Sequence, residues 1–142
     1  MYTGLKHLHS GLAYLLLAAL IFSIVFILIS FINKKPFTDG KRKISLIGLI
    51  SAHLQLLIGL VLYFVSPLGV AAFSGEAMKN SVSRLYMLEH PLTMIIGVIL
   101  ITIGYSRAKK LQQDDRRYKS ILIFYTIGLI LILLRIPWSA WL

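Results

Sequence analysis

The chain has no cysteine, which excludes disulfides, thiolate metal sites, thioether-linked cofactors and cysteine nucleophiles, and leaves the redox compartment unread. Acidic residues are scarce: five Asp and Glu stand against fifteen Lys and Arg, for a formal net charge of +10. Sequence motifs of common soluble enzymes are missing as well. There is no Ser, His and Asp set of a hydrolase, no Gly-rich phosphate loop before a helix, and no HExxH metal signature. Long polar stretches are also absent. The longest segment between apolar runs is 66–83, SPLGVAAFSGEAMKNSVS, eighteen residues of turn-forming Pro, Gly and Ser that leave no room for a soluble domain.

What fills the 142 residues is apolar: 58% is hydrophobic and 14% charged, outside the range of a water-soluble domain. A bilayer core of ~30 Å takes ~20 apolar residues per helix, and the segments 8–32, 44–65, 85–105 and 121–138 meet that length. The first is too long for the apolar region of a signal peptide, and Asn33, Lys34 and Lys35 follow it where small residues would mark cleavage, so it reads as a retained helix. Short connections favour neighbours that run antiparallel. The expected fold is therefore all-α: one transmembrane domain spanning 1–142, a multi-pass four-helix bundle running up-down-up-down.

The charge is unevenly placed. Lys34, Lys35, Lys41, Arg42 and Lys43 lie in 33–43, and Arg107, Lys109, Lys110, Arg116, Arg117 and Lys119 in 106–119. A four-helix meander puts those two loops at one end, and an excess of basic residues marks the cytoplasmic side. Both termini and 66–83 are then expected on the outer side, with Trp138 and Trp141 as an interfacial aromatic anchor. A basic excess split between two short loops, with no aromatic platform, points to topology and contact with the lipid bilayer and not to nucleic acid.

Small and polar residues at helical spacing mark interior faces. Gly48, Ser51, Ala52, Gln55 and Gly59 form one stripe with His53 beside it; Tyr86, His90, Thr93, Gly97 and Gly104 form another. His9, Leu16, Ser23 and Ser30 repeat every seven residues, as do Gly128 and Arg135. Ionisable groups inside a span are costly unless partnered, so Glu89, His53, His90 and Arg135 are functional candidates. At ~1.5 Å per residue, His9 lies roughly 5 Å below the outer boundary, His90 roughly 9 Å and His53 roughly 20 Å, with Arg135 about level with His90.

Two histidines on different helices at similar depth can take the two axial positions of a b-type haem, as in four-helix haem bundles. By depth the pair is His9 with His90, Gly97 gives clearance for a flat ring, and Arg135 meets a propionate. His53 is the spare ligand, and helix tilt would pair it with His90 instead. Each residue also has a plainer reading: interhelical hydrogen bonding for His53 and His90, solvation for His7 and His9, packing for the glycines, and an ion pair for Glu89 with Arg135. The sharper role for Glu89 is proton handling. A metal site of His9, His90 and Glu89 is disfavoured, because adjacent helical residues point about 100° apart. In YMLEHPLTMIIGVILITIGY, Pro91 either bends the third helix after His90 or begins it.

The segments KHLHSGLAYLLL, SAHLQLLIGLVLYFVSP, RLYMLEHPLTMIIGVILITIGYSRAKK and FYTIGLILILLRIPWSAW together resemble a family of short four-helix bacterial membrane proteins labelled cytochrome b, over essentially the whole chain. The resemblance implies b-type haem, a respiratory or redox role with a quinone or a larger respiratory complex, a place in the bacterial inner membrane, and haem roles at His9, His53, and Glu89 with His90. The opening KHLH is loosely similar to other four-helix haem or porphyrin membrane proteins, including membrane protoporphyrinogen oxidases. Two other functions stay open: a cofactor-free accessory or assembly subunit of a membrane complex, and a membrane oxidoreductase acting on porphyrin, haem or quinone.

Overall fold

In the computed structural model, which describes residues 1–141 and only the backbone of Trp141, the chain is a bundle of four long helices with no strand among the described residues. They are α1 (Tyr2–Ile32), α2 (Asp39–Val65), α3 (Ser81–Lys110) and α4 (Asp114–Leu134), each long and apolar enough to cross a membrane. The side chain of Trp141, one of the two expected interfacial anchors, lies outside the described residues.

The helices overrun the apolar segments at their polar ends. Apolar runs mark what a bilayer covers, whereas backbone hydrogen bonding continues until a cap or a proline stops it. Helices α2 and α4 start on Asp39 and on Asp114 with Asp115, acidic residues that complement the positive end of a helix dipole. Asp39 also reaches Arg42 at 2.7 Å and Lys43 at 3.5 Å.

Helix α4 ends at Leu134, short of the expected 138. Proline disfavours helical geometry in the residue before it, and Pro137 therefore breaks the chain at Ile136. It resumes as one turn, Trp138–Trp141. Trp138 Nε1–H donates to the Leu133 carbonyl at 2.9 Å, one of the four that a helix end leaves without an internal partner. Arg135 consequently sits just past the helix, not on its face.

Helix α3 is continuous through Pro91 but not regular. Residues Leu85–Glu89 form a wide π turn in which the His90 N–H reaches back to the Leu85 carbonyl. The cause is Pro91, which has no N–H to give to the Met87 carbonyl four residues earlier and whose ring crowds that carbonyl. Tyr63 on α2 supplies the missing donor, its hydroxyl lying 2.7 Å from Met87 O. Of the two expectations for Pro91, the helix does not begin there: it runs on from Ser81 to Lys110, with the wide turn just before the proline.

Each helix packs on the next, and α4 closes on α1. Small residues allow close approach. A methyl group added at Gly104 would lie 2.6 Å from Phe124 Cβ, and one at Gly128 only 2.8 Å from Ile101 Cγ1 and 3.0 Å from Gly97 O. Hydroxyls stitch neighbours together by donating to carbonyls of other segments: Ser23 to Ile44 at 2.9 Å, Ser120 to Gly104 at 2.9 Å, Tyr125 to Ser45 at 2.7 Å and Tyr118 to Lys35 at 2.8 Å. The repeat Leu16, Ser23 and Ser30 is buried as its spacing predicts, whereas the outward faces carry exposed Ile, Leu, Phe and Val, a surface compatible with lipid.

Candidate functional site

Two clusters of polar residues lie at opposite ends of the bundle. At one end gather the α1–α2 and α3–α4 loops, where Arg42 donates to the Tyr105 hydroxyl at 2.7 Å and the Arg117 guanidinium lies 4.3 Å from the centre of the Phe37 ring. The other end holds a cavity of about 230 Å³ among α1, α2, α3 and the segment after α4, with His9, Gln55, Gly59, Tyr63, His90 and Met94 in its wall.

His9 and His90 meet there. Their ring centres are 6.2 Å apart and the rings nearly perpendicular, at 88°. His9 is brought in by the heptad face of α1, and Gly59 on α2 makes the space for it: a Cβ at Gly59 would lie 2.9 Å from the imidazole Cε1. His90 follows the wide turn of α3, and its Nδ1 lies 2.8 Å from the carbonyl of Arg135. A carbonyl only accepts, so Nδ1 carries the proton and, in the neutral ring, Nε2 keeps its lone pair. Fixing one imidazole nitrogen on a backbone carbonyl is how proteins orient a histidine whose other nitrogen binds a metal.

His9 is differently placed. Its Nδ1 is buried with no hydrogen-bond partner among the described residues, and so is Oε1 of Gln55. The Gln55 amide N–H donates to the His9 backbone carbonyl at 2.8 Å, which turns its own oxygen away from that bond. Buried polar groups are nearly always satisfied by protein or by ordered water, so these two atoms in the cavity wall are the ones that a water or a bound group would meet.

Beside His90, the carboxylate of Glu89 pairs with Arg84 at 2.8 Å and lies 3.9 Å from Arg135. This half-buried triad joins both ends of the π turn to the residue whose carbonyl holds His90. The remaining candidates lie elsewhere. His53 is exposed on α2; the hydroxyl of Thr102 is committed to Val98 O at 2.7 Å, so His53 Nε2–H donates to Thr102 Oγ1 at 2.9 Å. Gly97 packs against the backbone of Gly128 and against Ile132, with both contacts at 3.3 Å from a built Cβ, and it does not line the cavity. Arg135 contributes its carbonyl and an ion pair but does not line the cavity. The cation in its wall is Lys6, one turn before His9 and on the same helical face. Sequence reasoning gave Lys6 no role and read Gly59 only as part of an interior stripe; the signal for Lys6 was its spacing from His9.

Among the described residues no group of three or more His, Cys, Asp and Glu converges as a metal site would, which sets aside the His9, His90 and Glu89 metal centre. The fit to b-type haem rests on other features. Two imidazoles sharing one iron each place a nitrogen ~2 Å from it and their ring centres roughly 6 Å apart, close to the separation seen. That separation also suits an ordinary ring contact; the unpartnered His9 Nδ1 and the pinned His90 tautomer are what a ring contact leaves unexplained. The two imidazoles are compatible with such a donor pair, whereas the cavity of about 230 Å³ is smaller than a macrocycle needs. His9 and His90 would hold the iron, Gly59 would give clearance, and Lys6 stands where a carboxylate could be met.

Compared with family models, curated proteins and solved structures, the chain matches none.

Proposed function

We propose that this chain is a multi-pass protein of the bacterial inner membrane that binds one b-type haem between His9 and His90 and exchanges electrons with a quinone or a respiratory partner. Bound haem would supply one-electron redox chemistry. The observation that carries the reading is the convergence of the two imidazoles from α1 and α3 on one apolar cavity, one held in a fixed tautomer and the other with a buried nitrogen unpaired.

The protein's own groups have defined parts in this scheme. Arg135 orients His90 through its carbonyl, and Glu89 holds Arg135 and Arg84 across the wide turn. Gly59 leaves room for His9, while Tyr63 keeps the Met87 carbonyl satisfied so that the turn persists beside the cavity. Leu16, Val98 and Ile132 close the inner wall and exclude water. With the basic loops cytoplasmic, the cavity and both chain ends lie in the outer half of the membrane.

One observation favours a cofactor-free accessory subunit instead: a cavity of about 230 Å³ is smaller than the 300–1,000 Å³ usual for small-molecule sites, so α1 and α3 must part to admit a macrocycle. The test is the absorption spectrum of detergent-purified protein from haem-supplemented cells, oxidised and dithionite-reduced, with pyridine haemochrome stoichiometry. A sharp reduced α-band near one b-type haem per chain supports the proposal. A colourless protein that copurifies stoichiometrically with another membrane protein supports the accessory reading.

A further inference from the structure

The far end of the bundle holds a second recess, formed where the last turn of α3 meets the first turns of α4. Arg107, Arg116 and Lys119 surround it, with Leu111, Ile123 and Phe124 among the apolar residues of its floor. Its volume is about 370 Å³. The three cations are exposed, and none is within salt-bridge distance of an acidic side chain among the described residues. The Arg107 guanidinium stands 5.7 Å from the centre of the Phe124 ring, which draws it over the recess. Asp114 and Asp115 are near in sequence but make no ion pair with these groups.

The recess does not end in solvent on its apolar side. Along α4, Lys119 is followed at helical spacing by Ile123, Ile127 and Ile130, all exposed. Counting back along α3, Arg107 is preceded by Ile103, Ile99 and Ile96, exposed as well. Each helix thus carries a charged head with an apolar stripe beneath it that is about 10 Å long, at ~1.5 Å per residue. A soluble phosphate would use the head alone and a nucleic acid would find no use for the stripes. An anionic phospholipid has both parts, and basic recesses between transmembrane helices at the cytoplasmic face bind such headgroups.

We propose that Arg107, Arg116 and Lys119 form a specific site for the phosphate of an anionic phospholipid whose acyl chains lie along Ile123, Ile127 and Ile130 of α4 and Ile96, Ile99 and Ile103 of α3. The site is independent of any haem. It ties the α3–α4 hairpin to the headgroup level at the end opposite His9 and His90.

The test is native mass spectrometry of the full chain in detergent, titrated with phosphatidylglycerol or phosphatidylcholine. The wild-type protein should retain one phosphatidylglycerol at concentrations where phosphatidylcholine is not held, and inorganic phosphate should not displace it. The Arg107→Gln, Arg116→Gln, Lys119→Gln variant should lose affinity by about tenfold or more, as expected for three charges withdrawn from an anionic headgroup. A control with equal charge removed elsewhere, Lys34→Gln, Lys35→Gln, Lys43→Gln, should bind like wild type. Equal losses in the two variants would reduce the effect to diffuse charge and overturn the proposal, as would retention by the first variant or displacement by inorganic phosphate.

Discussion

His9 and His90 face one another at 6.2 Å between ring centres, and the glycine that makes this possible is Gly59, not Gly97. The two glycines therefore predict different phenotypes. Gly59→Val should displace the His9 imidazole and remove haem binding, while leaving the bundle folded because the side chain enters a cavity. Gly97→Val should instead push on the Gly128 backbone and lower thermal stability, with any haem retained by the surviving fold. Haem content and melting temperature, measured on both variants, separate the two. Equal haem content in Gly59→Val and wild type would remove Gly59 from the site.

The wide turn before Pro91 is coupled to Tyr63. Removing the hydroxyl with Tyr63→Phe leaves the Met87 carbonyl without its donor and should cost about 1–3 kcal/mol. In a Pro91→Ala background the restored N–H can bond that carbonyl, so the same change should cost less than about 0.5 kcal/mol. A double-mutant cycle from reversible unfolding in detergent measures the difference. Additive effects would mean that Tyr63 and Pro91 are unrelated.

Gly→Ala changes should split by sign. At Gly11 an added Cβ meets nothing within 4 Å, and replacing a helical glycine by alanine should stabilise by roughly 0.5–1 kcal/mol. At Gly104 and Gly128 the methyl meets Phe124 and Ile101 at 2.6 and 2.8 Å, and overpacking should destabilise by about 1–3 kcal/mol. Thermal unfolding in one detergent checks all three. Destabilisation at Gly11 as large as at Gly104 would show that α1 is packed there by contacts other than those described.

The helix count was legible because an apolar run of bilayer length leaves little choice of structure. Helix ends were less so: Asp39 and Asp114 start helices outside the apolar runs, and Pro137 stops one inside the expected range. Depth counting made His9 and His90 the better-matched pair, and the structure brings those two together. It could not orient His53, because a side chain beside a buried stripe turns outward or inward by one residue of helix, about 100°. Nor could it read the π turn. The proline was visible, but the donor that satisfies the freed carbonyl comes from Tyr63, twenty-four residues away. Arg135 was placed by heptad spacing from Gly128, and that spacing lost meaning where the helix ended at Leu134.

The most direct test of the central claim is the reduced-minus-oxidised spectrum of the purified protein beside its four single histidine variants, with haem quantified per chain. The account predicts a b-type spectrum near one haem per chain in wild type, lost in His90→Ala and His9→Ala and kept in His53→Ala and His7→Ala. A full haem complement in His90→Ala, or loss in His53→Ala with retention in His9→Ala, would contradict it.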